Sequence, residues 1–330
     1  MLRQGMWVLA VLFMGCDTRE TVVVYSPHGV EMLSDYEGLF EAAYPDVDLQ
    51  WLDMGSQDVF SRVSAERNRP AGDVWWGAPC TMFMKAAEEG LLEPYRPTWA
   101  EAVPPDSKDP QDRWYATHRS PLAIVFNQRG LTKETAPQTW DELLDPKWHG
   151  RVSIRKPPAS GTMRTFLCAM IHRAASEDAG IAWLKRLHEA TESYPESPQF
   201  LFDHLKKNPE LVSVWLMPDV VLQRERNGYP FDCVLPPGTP VLTEGIAIIR
   251  GAPHPEWARK FYEFVTTREA LAQQSRAYAK MPARTDVEPA ALPGWMVNQS
   301  VDAMPIDWRA FARNEQAWCS RWEKEVYASP

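Results

Sequence analysis

The residues best equipped for chemistry lie in the middle of the chain, in Arg155-Lys156-Pro157-Pro158-Ala159-Ser160-Gly161-Thr162-Met163-Arg164-Thr165-Phe166. Pro157 and Pro158 bar a helix until they are passed, and Ser160 then supplies an N-cap for one running through Phe166, Leu167, Met170 and Ile171. A helix start leaves backbone N–H groups without intrahelical partners and carries the positive end of the dipole. Gly161 lets a ligand approach the main chain, and Ser160 and Thr162 add hydroxyls. With Arg155 and Arg164 nearby, this set suits an oxyanion such as a phosphate or carboxylate. An ordinary capped helix is the plainer alternative, and the spacing alone leaves it open.

Other candidates stand where strand-like runs end. Thr21-Val22-Val23-Val24-Tyr25 runs into Ser26 and His28, Val47 to Asp53 into Ser56, and Asp73-Val74-Trp75-Trp76-Gly77 ends in Trp76 and Gly77. Leu211 to Leu216 carries Trp215 and leads into Asp219, the Pro-rich break Tyr194 to Pro198 contains Ser197, and Glu244 precedes the run Ala247-Ile248-Ile249. Each has a plainer role: Trp76 and Trp215 as core rather than stacking platforms, His28 as a loop residue, Asp219 as a helix cap rather than an acceptor for an amine or hydroxyl, Glu244 in a salt bridge. What would gather them is the alternation of strand and amphipathic helix. Successive β-α units predict parallel sheets whose loops at the carboxyl strand ends converge on one edge.

The chain has 330 residues, enough for two cores. Hydrophobic residues make up 45% and charged ones 24%, which fits globular folding. Met1-Leu2-Arg3, the apolar run Met6 to Met14 and Gly15-Cys16 read as a secretion leader over residues 1–15, too short to span a bilayer, with Cys16 as the residue to be lipidated. Loss of the leader would move the formal charge from −9 to −10, which argues against a nucleic-acid partner but not against a local anion site. Cys80, Cys168, Cys233 and Cys319 form no CxxC pair. In an oxidising compartment they allow up to two disulfides, with pairing undetermined.

The order of landmarks is informative: Tyr25-Ser26-Pro27-His28-Gly29, Ala71-Gly72-Asp73-Val74-Trp75-Trp76-Gly77, Gly90-Leu91-Leu92-Glu93-Pro94-Tyr95, Trp140 to Trp148, Ser160-Gly161-Thr162, Gly238-Thr239-Pro240-Val241, Glu244-Gly245-Ile246-Ala247-Ile248 and Met281-Pro282-Ala283-Arg284. From about Val22 to Val287 it resembles the family 1 extracellular solute-binding proteins of bacterial ABC importers, most nearly their ferric-ion-binding branch. The resemblance implies an α/β periplasmic-binding-protein fold of type II, two lobes with central mixed sheets joined by two hinge strands. The expected division is residues 16–120 with 243–285 in lobe 1, and 121–242 with 286–330 in lobe 2. Ferric members hold iron with an adjacent Tyr pair after the strand matching Leu211–Leu216, with a His after the first strand and a carboxylate after the third. Here those positions read Met217-Pro218-Asp219 and Trp76-Gly77-Ala78, leaving His28 and Asp219 as the only metal candidates.

The expectation is therefore a lipid-anchored periplasmic receptor that needs no cofactor, acts as a monomer, closes on a small phosphate- or carboxylate-bearing solute or a metal chelate, and hands it to a permease and ATPase. Ligand contacts are expected from Ser26, His28, Ser56, Trp76, Gly77, Ser160, Gly161, Thr162, Arg164, Ser197, Trp215, Asp219 and Glu244. A ferric or ferric-chelate carrier and a ligand-presenting sensory lipoprotein are the alternatives. A serine hydrolase built on Ser160 is the weakest, because G-x-S-x-G and HExxH are both missing.

Overall fold

The computed structural model describes residues 19–328, so the leader and Cys16 lie outside the described residues. The first third alternates strand and helix: β1 (Glu20–Ser26), α1 (Val30–Ala43), β2 (Val47–Asp53), α2 (Ser56–Ala65), β3 (Val74–Pro79), α3 (Cys80–Glu88) and the short β4 (Leu92–Glu93). After a long loop come β5 (Tyr115–Asn127), β6 (Val152–Ser153), α4 (Gly161–His172), α5 (Glu177–Ala190), β7 (Thr191–Ser193), α6 (Pro198–Lys207), β8 (Val212–Leu216) and α7 (Met217–Asn227). The return comprises β9 (Phe231–Val234), β10 (Val241–Ile249), α8 (Pro255–Val265), α9 (Arg268–Tyr278), β11 (Met281–Pro282), α10 (Gly294–Val297) and α11 (Trp308–Trp322).

Strands link in the order β2-β1-β3-β10-β5-β8-β6-β7. β1 is parallel to β2 and β3, and β6 to β7 and β8, as right-handed β-α-β crossovers produce. β5 and β10 run antiparallel through the middle, from Val241 opposite Pro121 to Ile246 opposite Tyr115. Two hydrophobic cores flank them. One gathers Val22, Tyr25, Phe40, Trp75, Trp76, Phe83 and Phe261, the other Ile124, Trp140, Phe166, Leu167, Trp215 and Phe231. β5 enters the first core with Tyr115 and Ala116 and the second with Leu122 and Ile124, while β10 contributes Leu242 to the second and Ile246 to the first. Both strands are hinges between two lobes. Where they cross, the buried side chains are polar: Thr117, His118, Ser120 and Glu244.

The C-terminal segment differs from the simple split at residue 286. Val287, Ala291 and Leu292 stay packed on Leu271 and Ala272 of lobe 1, and only at Trp295 does the chain reach Met217 and Val221 of lobe 2. α11 buries Phe311, Trp318 and Trp322 in the second core, yet also lies along α3 of the first lobe. All four described cysteines are free thiols, so neither of the two disulfides allowed by the count is present. Among the described residues no helix is long and apolar enough to cross a membrane.

Candidate functional site

Between the lobes lies a cleft of about 480 Å³, within the size range of small-ligand pockets. Its walls are built largely of helix beginnings. Gly29, Gly55, Pro79, Ser160 and Leu216, the N-caps of α1, α2, α3, α4 and α7, all line it. This follows from topology, since each of these helices leaves the carboxyl end of a strand or enters from the loop beside one. At α4 the Ser160 hydroxyl accepts from the Met163 N–H at 3.4 Å; at the other four no side chain caps the end. Five helix dipole ends therefore border a shared volume, three from lobe 1 and two from lobe 2.

Arg155 adds a full charge. Its Nη2 donates to the Glu196 carbonyl at 2.7 Å, and among the described residues its buried Nε has no hydrogen-bond partner and no carboxylate pairs with it. Burial lowers its pKa. The guanidinium lies 5.8 Å from the centre of the Trp215 ring. On that same indole, Nε1–H donates to Asp219 Oδ2 at 2.7 Å. Burial pushes the Asp219 carboxyl up, against the pull of Lys280 and of the Trp215 hydrogen bond.

The floor of the cleft, at the hinge, holds a second group. Lys280 Nζ lies 3.0 Å from Glu244 Oε2, His118 Nδ1 3.6 Å and His28 Nδ1 3.9 Å from the same oxygen. Burial acts to raise the Glu244 carboxyl, but its neighbours, the Lys280 ammonium foremost, outweigh it and hold it well below the usual range. Burial also lowers both histidines, so both are neutral, and the contacts to Glu244 are not ion pairs. Gln274 fixes the His118 tautomer: its Nε2 donates to the Val265 carbonyl at 2.8 Å, which turns its Oε1 toward His118 Nε2–H at 2.7 Å. His28, His118 and Glu244 could in principle ligate a metal, their donor atoms lying within 4.8 Å of one another. The fit is poor. Lys280 already neutralises the carboxylate, and two imidazoles with one carboxylate are not the anionic oxygen set that a ferric ion favours.

The expected site residues separate into three groups. His28, Ser56, Ser160, Gly161, Thr162, Trp215, Asp219 and Glu244 all line the cleft. Gly77 and Ser26 shape it from behind: Gly77 has φ +95° and a Cβ there would stand 2.8 Å from His28 Nε2, while Ser26 Oγ accepts from the His28 N–H at 3.2 Å. The third group is turned away. Trp76 is fully buried between His28, Tyr36 and Phe261 and has no face for a ligand. Arg164 points to the far side of α4, donating to the Pro158 carbonyl at 3.0 Å and approaching Glu315 at 3.6 Å. Ser197 caps α6 by accepting from the Phe200 N–H at 3.2 Å, leaving Pro198 at the cleft wall. The expected cationic role thus passes from Arg164 to Arg155, nine residues earlier and on the side of the turn that faces the cleft. Lys280 and His118 carried no local signal, because only the hinge brings them beside Glu244. The metal pairing of His28 with Asp219 is likewise replaced by His28 with His118 and Glu244.

Two other hollows, of about 420 and 320 Å³, lie between α3 and the C-terminal segment. The first receives the start of α11, but Asp307 already caps it by accepting from Arg309 and Ala310 N–H, and Arg113 there is paired with Asp109 at 2.7 Å. Arg309 and Arg313, which line them, are exposed to solvent, unlike the half-buried Arg155.

Residues 81–310 match the profile described as bacterial extracellular solute-binding protein. The chain is 24% identical over 313 residues to "Probable ABC transporter periplasmic-binding protein y4fP" of Sinorhizobium fredii, covering 93% of this chain and 87% of that one. It is 26% identical over 321 residues to "Putative 2-aminoethylphosphonate-binding periplasmic protein" of Salmonella typhimurium, covering 92% and 91%. Among solved structures, the periplasmic binding protein AfuA of Actinobacillus pleuropneumoniae, with fructose-6-phosphate bound, superposes with TM-score 0.83 at 24% identity over 94% of this chain and 99% of that one, a likeness of fold.

Proposed function

This chain belongs to the bacterial extracellular solute-binding proteins, and on that premise we propose that it is the periplasmic receptor of an ABC importer for a small solute bearing a phosphate or phosphonate group. One observation carries the ligand class: the unpaired Arg155 guanidinium stands in a cleft whose walls are five helix N-termini, four of them uncapped. A doubly charged oxyanion has the acceptors to use several N–H groups and a bidentate guanidinium at once, where a carboxylate has fewer. The name of the Salmonella relative points the same way.

The anion docks first on α4 through Ser160, Gly161, Thr162 and Arg155, all of lobe 2, and gains the ends of α1, α2 and α3 when lobe 1 closes over it. Binding then selects the closed form because only that form offers both halves of the cradle. Gly161 marks where the lobes meet: a Cβ on it would stand 2.9 Å from Pro79 Cγ of the opposite lobe. On this reading Cys16 carries the lipid anchor, a permease and ATPase receive the solute, and the protein does no chemistry on it. Ferric ion is the weaker ligand, given the missing phenolates at Met217-Pro218-Asp219 and the ammonium at the hinge. Native mass spectrometry of freshly purified protein, followed by calorimetry with inorganic phosphate, 2-aminoethylphosphonate, fructose 6-phosphate and ferric citrate, tests the proposal. Binding of ferric citrate alone would discard it.

A further inference from the structure

The proposed anion cradle accounts for one end of the cleft and leaves the other unexplained. Of the charged groups on the wall, Glu244 and Lys280 neutralise each other at 3.0 Å, and Asp53 is exposed at the rim and takes a hydrogen bond from the Gly29 backbone. Among the described residues Arg155 has no carboxylate and Asp219 no cation within salt-bridge distance, and the two lie on the same Trp215. They do not pair with each other: the guanidinium sits over the ring, whereas Asp219 takes the Nε1–H at the ring's edge. Trp215 therefore holds a positive and a negative pole apart. Asp219 is three residues into α7, yet it accepts no hydrogen bond from the α7 backbone, so its conservative role as a cap is not the one it plays. Its Oδ2 is used by Trp215, and Oδ1 makes no protein hydrogen bond.

A solute with two negative charges and nothing else would meet Arg155 well and face Asp219 badly, since a dianion sealed beside a partly buried carboxylate is disfavoured. A solute carrying both charges would satisfy the two poles. We infer that Asp219, oriented by Trp215, is the acceptor for an ammonium group on the solute, so that the preferred ligands are amino-substituted phosphates or phosphonates rather than hydroxylated ones such as sugar phosphates. This deepens the phosphate or phosphonate reading of the same cleft and rests on it.

Calorimetry with 2-aminoethylphosphonate, ethylphosphonate and fructose 6-phosphate separates the two. Wild type should bind 2-aminoethylphosphonate roughly ten- to a hundredfold tighter than ethylphosphonate, which differs only in the amine, with fructose 6-phosphate also weaker than the amino compound. Asp219→Asn keeps an oxygen for Trp215 and should erase that preference by weakening 2-aminoethylphosphonate and tightening ethylphosphonate, which no longer faces a carboxylate; retained ethylphosphonate binding also reports that the variant is folded. Arg155→Ala should weaken all three probes together. Equal binding of the amino and plain phosphonates, or a preference for fructose 6-phosphate, overturns the ammonium assignment and leaves the anion cradle standing. Failure of every probe to bind overturns the cradle and this inference with it. Should Asp219→Asn not fold, the wild-type comparison of the first two probes decides.

Discussion

Replacing Arg155 by Ala is the most direct test of the cleft, because two opposite effects are expected from one change. In the empty protein the guanidinium is half-buried, donates one hydrogen bond to the Glu196 carbonyl and has no counter-ion, so burial costs free energy that removal returns. Loss of that one hydrogen bond, worth about 1 kcal/mol, acts the other way. The thermal midpoint should therefore stay within a few degrees of wild type. With ligand the guanidinium would make one or two charge-assisted bonds to the oxyanion, about 1.5–3 kcal/mol each, so affinity should fall by roughly ten- to a thousandfold. Arg164→Ala is the matched control. It breaks bonds to Pro158 and the Glu315 side of α11, outside the cleft, and should lower the midpoint with little change in affinity. Calorimetry with the tightest-binding phosphate or phosphonate probe, alongside thermal melts of both variants, reads the four quantities. Wild-type affinity in Arg155→Ala, or a greater loss in Arg164→Ala, would refute the reasoning.

Other expectations follow from the same geometry. Gly161→Ala places a Cβ 2.9 Å from Pro79 Cγ and should hold the lobes apart, so affinity falls and small-angle scattering shows no compaction on adding ligand, while melting is little changed. Lys280→Met leaves the Glu244 carboxylate buried without its cation and should destabilise by about 3 kcal/mol in chemical unfolding; adding Glu244→Gln should restore part of it, and simple additivity of the two would argue that they are uncoupled. The depressed His28 and His118 set a pH dependence: the unfolded chain takes up protons as pH falls below about 6.5, the folded one only at lower pH, so stability should be full above 6.5 and decline below it. A titration of unfolding free energy from pH 8 to 5 tests this, and His118→Gln should flatten the slope.

The sequence by itself determined the architecture and half of the site. Alternating β-branched runs and amphipathic helices suffice for parallel β-α units, whose strand ends must converge, and so Ser56, Ser160, Gly161 and Thr162 could be placed on one edge before any contact was known. An N-cap is a local device, read from Ser160 and the two prolines before it. The hinge was harder to see. β5 starts at Tyr115, ahead of the apolar run from Leu122, and β10 at Val241, ahead of the run from Ala247, because the crossing points carry Thr117, His118, Ser120 and Glu244, which break the apolar pattern that marks a buried strand. What only the tertiary structure decided is which charges face one another. Trp76 and Trp215 look alike at strand ends, yet the first is sealed by Tyr36 and Phe261 and the second lines the cleft wall with Arg155 over its ring and Asp219 at its edge. Arg155 and Arg164 are equally basic and flank the same cap. Arg155, ahead of the Pro157–Ala159 turn, lines the cleft, while Arg164, in the first turn of α4, points toward α11. Side-chain direction at such positions depends on contacts distant in sequence, with Glu196 and Trp215 for Arg155 and with Glu315 for Arg164, and no spacing rule within the segment contains them.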